Sequence, residues 1–254
     1  MSSYKAIIFD YDGTIKSQNE QRISAEIKSL LLTLRENNIL IFLATGRPHE
    51  HCSYLLSEQL VDCIISANGS LVRNEAALIH ATPLTEQTVA DFLTCCKDNQ
   101  FAGTLYTDTL YSNGILNENL EIGLQQSMNI TADSLEIYES SRLSEAYLLC
   151  AFCPDTIDES LKKNFSNQFL SRWHPTIISI LDTEVTKATG ILKALEYYQI
   201  TPHECIAVGD GTNDIEMLEL SGHGIAVGSN NAKLVAASDQ VITAVDERLL
   251  ELFL

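Results

Sequence analysis

The chain has 254 residues, 45 % of them hydrophobic, enough for one large domain or two modest ones. Its formal charge of −18, from 34 acidic and 16 basic residues, argues against nucleic acid or anionic membrane as a partner, since both need clustered Lys and Arg. No apolar run approaches the ~18–20 residues of a membrane span, and Met1-Ser2-Ser3-Tyr4-Lys5 leads into a strand without a signal-peptide pattern, so a cytoplasmic protein is expected.

Ala6-Ile7-Ile8-Phe9 predicts a buried parallel strand. The segment from Ser24 to Asn37 predicts a helix, with Ile27, Leu30, Leu31 and Leu34 at helical spacing, Ser24 as cap and Ile23 as staple. A second strand is expected over 39–43, a helix over about 49–59, a strand at Cys63-Ile64-Ile65-Ser66 and a turn at Ala67-Asn68-Gly69. This βαβαβ pattern predicts right-handed crossovers and a parallel sheet. Residues 70–80 read as a hairpin turning near Asn74-Glu75, and Thr82-Pro83 is a natural boundary.

Between about 83 and 181 the pattern changes. Helices are expected over 85–97, 117–127 and 156–164, and strands over 104–107, 110–112, 146–152 and 176–181. The first pattern then resumes: helix 187–199, strand 205–208, helix 214–221, strand 224–227, helix 231–237, strand 240–242 and a short closing helix. The expected fold is α/β. A Rossmann-like parallel-sheet core is formed by 1–82 plus 182–254, and 83–181 is an inserted α/β domain.

Seven cysteines are scattered in apolar contexts. Cys150-Ala151-Phe152-Cys153 has zinc-ligand spacing but no second pair to complete four ligands, so reduced core thiols are expected. His49-Glu50-His51 reads as a solvated helix start rather than a ligand set.

Asp10 and Asp12 fall just past the carboxyl end of the first strand, where open α/β sheets bind ligands. Two carboxylates this close call for a cation, and Mg²⁺ prefers such hard oxygen ligands. Gly13 and Thr14 let the backbone turn and offer N–H groups to an anion; the bland alternative is a polar turn. Thr45-Gly46-Arg47 ends the second strand, and Asp210, Asn213 and Asp214 follow the strand at 205–208. Lys187 opens a helix, where the macrodipole disfavours a cation, so an anionic group should compensate it.

Together, Asp10-Tyr11-Asp12-Gly13-Thr14, Ala44-Thr45-Gly46-Arg47, Lys187 and Gly209-Asp210-Gly211-Thr212-Asn213-Asp214 resemble the haloacid dehalogenase superfamily of phosphotransferases, over nearly the whole chain. More closely they resemble Cof-type phosphatases, whose inserted domain is a C2B-type cap. That resemblance implies Asp10 as nucleophile and Asp12 as acid/base, the alternative for Asp12 being a purely structural turn residue. It implies Mg²⁺ held by Asp10, the Asp12 carbonyl and Asp210, with Asp214 supporting Lys187 or a metal-bound water, or only capping its helix. Thr45 and the Gly46 N–H would clamp phosphate, Asn213 would donate to it, and Lys187 would neutralise the nucleophile and a phosphoryl oxygen. Arg47 and Asn68 face the site from strand ends, where each would touch the phosphate or leaving group; Arg47 could equally bind the following loop. Tyr11 and Lys16 each stand where the pattern ordinarily has Leu, and Ser229-Asn230-Asn231-Ala232 where it has Gly-Asn-Ala.

The function this implies is Mg²⁺-dependent hydrolysis of a small phosphate monoester, a sugar phosphate or related phosphometabolite, through an aspartyl-phosphate. The alternatives are a phosphomutase and a non-catalytic regulatory or binding protein on the same scaffold. A mutase needs extra cations, and 83–181, with 13 Asp/Glu and 5 Lys/Arg, is a poor cradle for a second phosphate, although Arg142, Lys162, Lys163 and Arg172 could still cluster. Tyr106, Tyr111 and Trp173 suit a sugar or ring by residue type, and equally the inserted domain's own core. Oligomeric state and leaving group are not legible.

Overall fold

The computed structural model describes residues 4–17, 20–139, 145–228 and 230–253; Arg142 and Ser229 lie outside them. The chain divides into two compact units, Met1–His80 with Thr186–Leu254, and Ala81–Val185.

The first unit is built on a sheet of β1 (Ala6–Phe9), β2 (Leu40–Ala44), β3 (Cys63–Ser66), β4 (Leu71–Arg73), β5 (Leu78–Ala81), β12 (Cys205–Gly209), β13 (His223–Val227) and β14 (Gln240–Ile242). Their order is β14-β13-β12-β1-β2-β3-β4-β5. All pairings from β14 through β3 are parallel, and β3 with β4 is antiparallel. The chain leaves β1 toward β2 and later returns to its other side as β12. That reversal makes the carboxyl ends of β1 and β12 the topological switch point.

Strand alternation sets the layers. Ile7 and Phe9 join Leu30, Leu31 and Leu34 of α1 (Ala25–Glu36), while Ala6 and Ile8 join Ile191, Ala194 and Leu195 of α6 (Lys187–Tyr198). Both faces are covered, which is why these strands read as continuous apolar runs. Ser24 caps α1 by accepting from the Ile27 N–H at 3.3 Å. The helix expected over 49–59 is instead a 3₁₀ turn, His49–His51, and a single α turn, α2 (Tyr54–Ser57). Gln59 at φ 55° ends it. The closing helix is a 3₁₀ segment, Glu247–Leu252.

The second unit holds β6 (Ala102–Tyr106), β7 (Leu110–Ser112), β8 (Glu136–Ile137), β9 (Leu148–Phe152), β10 (Gln168–His174) and β11 (Ile177–Asp182), in the order β10-β11-β9-β6-β7-β8. Pairing is antiparallel except between β7 and β8. Phe92 and Cys96 of α3 (Glu86–Asn99) and Leu161 of α5 (Asp158–Asn164) pack with Leu105, Leu149 and Ile180 on one face. α4 (Glu118–Met128) packs on the other, where a Cβ at Gly123 would lie 2.8 Å from the Phe152 ring. Tyr106 is buried, Tyr111 meets Tyr138 edge-on at 5.9 Å, and Trp173 is exposed on edge strand β10. All seven cysteines are free thiols. Among the described residues no helix is long and apolar enough to cross a membrane.

Candidate active site

The site grows from the carboxyl ends of β1, β2 and β12 and the start of α6. The Asp10 N–H donates to the Val208 carbonyl at 2.9 Å, which extends the β1–β12 pairing by one residue and buries the Asp10 side chain. The chain then turns sharply, with the Lys16 N–H returning to the Tyr11 carbonyl at 2.9 Å. Gly13 makes the turn possible: φ is +86°, and a Cβ there would stand 2.2 Å from an Asp210 oxygen.

Lys187 is delivered by a close approach. Gly69, at φ +108°, lies in the turn after β3, and a Cβ on it would meet the Thr186 carbonyl at 2.1 Å. A Cβ on Gly190 would be 2.7 Å from the Gly69 Cα, so two glycines let the start of α6 settle on this turn. Thr186 caps α6 by accepting from the Thr189 N–H at 3.2 Å.

The buried Lys187 ammonium donates to Asp10 Oδ1 at 2.5 Å and to Asp214 Oδ1 at 2.7 Å. These are the anions its place at a helix N-terminus demands. Asp214 Oδ2 accepts the Asp210 and Gly211 N–H groups at 3.1 and 2.8 Å. Thr14 donates to Asp210 Oδ1 at 3.1 Å. Oxygens of Asp10, Asp210 and Asp214 lie within 4.8 Å of one another.

Burial pushes the Asp10 carboxyl well above the usual carboxylate range; Lys187 opposes this, and Asp214 and Asp210 add to it. Asp210 is raised too, by burial and then by Asp214. Burial alone would lower the Lys187 ammonium, but Asp10 and Asp214 outweigh it and hold it charged. Three carboxylates face one ammonium, all with hard oxygen donors. This is a donor set that fits Mg²⁺.

Lys187→Met should cost about 3–5 kcal/mol of stability, because it leaves Asp10 and Asp214 as buried carboxylates without their cation. Denaturant unfolding of metal-free protein measures this. A loss below about 1 kcal/mol would show that the pairing does not hold the fold.

The Asp12 carboxylate does not join the cluster. It takes a forked pair from Arg47, Nε to Oδ2 at 2.6 Å and Nη2 to Oδ1 at 2.8 Å, and an ion pair from Lys16 at 3.1 Å. The buried Arg47 guanidinium binds Asp12, a partner 35 positions away. The Thr45 hydroxyl accepts the Arg47 N–H at 3.1 Å, and the Thr45 carbonyl accepts the Asn68 N–H at 3.0 Å. Asn68, at φ 55°, accepts at Oδ1 from Asn213 Nδ2 at 3.3 Å and lies over Gly46, where a Cβ would be 3.2 Å from it. Thus Thr45, Gly46, Asn68 and Asn213 form one connected edge, and Asp10, Asp210, Asp214 and Lys187 another.

A family model described as haloacid dehalogenase-like hydrolase matches residues 7–248. The chain belongs to the haloacid dehalogenase-like hydrolases. The Bacillus subtilis protein YkrA is 27 % identical over 244 residues, 96 % of this chain and 93 % of that one. The HMP-PP phosphatase of Citrobacter koseri is 26 % identical over 238 residues, 90 % of this chain and 85 % of that one. Among solved structures, the fold matches a subclass IIB sugar phosphatase of the haloacid dehalogenase superfamily at a TM-score of 0.79 and 23 % identity, over 93 % of this chain and 92 % of that one. The family, fold class and enzyme class expected from the four motifs are borne out.

Proposed function

We propose that this haloacid dehalogenase-like hydrolase is a Mg²⁺-dependent phosphatase acting on a small phosphate monoester through an aspartyl-phosphate on Asp10. The observation that carries the reading is the buried Lys187 tying Asp10 to Asp214 beside Asp210. It supports a fixed nucleophile whose charge is partly balanced before substrate arrives. Asp10 and Asp210, with the Asp12 carbonyl, would hold Mg²⁺, which when bound neutralises phosphoryl oxygens.

In the first step an Asp10 oxygen attacks phosphorus, the bond to the leaving oxygen breaks, and Asp12 gives that oxygen its proton. In the second, water attacks phosphorus, Asp12 takes its proton, and the Asp10–phosphorus bond breaks. Inorganic phosphate leaves and Asp10 is again a carboxylate. Thr45, the Gly46 N–H and Asn213 would bind the transferred group, with Asn68 beside them and Lys187 on its negative charge. Arg47 would act on the phosphate only indirectly, by holding Asp12. Asp214 would keep Lys187 in place.

The unit Ala81–Val185 would be the cap that contacts the leaving group. The names of the Citrobacter koseri and solved relatives favour a sugar phosphate or related phosphometabolite as substrate. A mutase is disfavoured. Arg172 is committed to Asp158 at 2.5 Å, so it is not poised for a second phosphate. A binding-only role is disfavoured because both Asp10 and Asp12 are present. Turnover of p-nitrophenyl phosphate with Mg²⁺, then a screen of phosphorylated metabolites, tests the proposal. Absence of turnover on every compound would overturn it.

A further inference from the structure

The loop after β1 carries a cation that the proposed reaction leaves unused. Lys16 is 1 % exposed, and its ammonium meets the Ser17 carbonyl at 2.9 Å, the Glu20 carbonyl at 3.0 Å and Asp12 Oδ1 at 3.1 Å. Two of its three N–H donors are hydrogen-bonded to these carbonyls, and the ammonium is ion-paired with Asp12. A lysine that only packed its stem would keep its head in water. A desolvated ammonium is costly unless it is paired, as it is here with Asp12.

Tyr11, another departure from the motif pattern, belongs to the same assembly. Its buried ring lies 5.8 Å from Lys16 Nζ and 5.4 Å from the Arg47 guanidinium carbon, within cation–π range of both. Its hydroxyl is tied to that of Tyr54 at 2.9 Å, so the ring is a fixed platform.

The lone pairs of Asp12 show what this assembly does. A carboxylate offers about four acceptor sites. Arg47 donates to one on each oxygen, and the Lys16 ammonium stands against Oδ1 as an ion pair at 3.1 Å. One site on Oδ2 remains, on a side chain 33 % exposed. We infer that Lys16 is a positioning residue: it locks the Asp12 carboxylate so that Oδ2 is the oxygen that gives and takes the proton. This rests on the acid/base role proposed for Asp12.

The test compares leaving groups. An alkoxide must be protonated as it departs, whereas p-nitrophenolate leaves readily as its anion, and kcat/KM reports the steps through that departure. General acid catalysis contributes ~10²–10⁴-fold, and a mobile Asp12 forfeits part of it. Lys16→Met should therefore lower kcat/KM for glycerol 2-phosphate, or the alkyl phosphate ranked highest by the metabolite screen, far more than for p-nitrophenyl phosphate. The ratio of the two should move by at least about tenfold. The beryllofluoride adduct on Asp10 needs no proton transfer and should still form, which separates lost positioning from lost folding. If Lys16→Met does not fold, Lys16→Gln, which keeps one donor without the charge, is measured in the same way. An unchanged ratio in a folded variant overturns the inference while leaving the phosphatase reading standing. Absence of wild-type turnover on both substrates overturns both.

Discussion

Asp10→Asn should lower turnover by at least ~10³-fold while the protein stays folded. The substitution keeps the size of the side chain and the amide oxygen can still accept from Lys187, but the charge of the proposed nucleophile is gone. Fold and activity should part in opposite directions. Asp10 sits buried with Asp210 and Asp214, and burial and these two carboxylates push its carboxyl upward against the pull of Lys187. Removing one of three carboxylates relieves that repulsion, and Asp214 keeps Lys187 paired. Metal-free Asp10→Asn should thus unfold at a temperature no lower than the wild type, as expected where a site trades stability for activity. Steady-state kinetics and thermal unfolding on one preparation read both halves. Near-normal turnover by the folded variant would rule out the covalent mechanism.

The part of this site that is legible in sequence is the part each segment carries alone. Strands such as Ala6–Phe9 and Cys205–Gly209 are buried on both faces, so their apolar runs and the polar residues that end them stand out. Lys187 could be singled out because a cation at a helix start needs an explanation, and the two carboxylates supply it. Convergence between distant segments left no local trace. The fork of Arg47 onto Asp12 joins two strand ends, and the tripod of Lys16 depends on how the loop after Asp12 folds back.

The missed elements have similar causes. β10 is an edge strand whose residues, from Gln168 to His174, are half-buried or exposed, so Gln-Phe-Leu-Ser-Arg-Trp-His shows no clean alternation. The pairing that makes it a strand comes from β11, with a register shift between Arg172 and His174. The helix expected over 49–59 is interrupted at Cys52, where φ reaches −118°, although Cys52, Leu55 and Leu56 keep helical spacing on the core.

Chelation should abolish turnover, and Mg²⁺ should restore it. Without a divalent cation, an anionic phosphate would approach Asp10, Asp210 and Asp214 with only Lys187 among them to offset their charge. In a chain of net charge −18 no long-range attraction compensates. The same imbalance makes binding of the metal visible without any substrate. A cation that binds only the folded state stabilises it by about 2.7 kcal/mol at 100 times its Kd, and in this site it also quenches the repulsion that raises Asp10 and Asp210. Thermal unfolding should therefore shift upward as Mg²⁺ is titrated, and the shift should be lost in Asp210→Asn. Ca²⁺ should give a thermal shift as well but not support turnover, because its longer, looser coordination misplaces the nucleophile. Full activity in EDTA-treated, metal-free protein would sink the assignment of Asp10 and Asp210 as metal ligands. A Mg²⁺-dependent shift that survived in Asp210→Asn would move the metal elsewhere in the molecule.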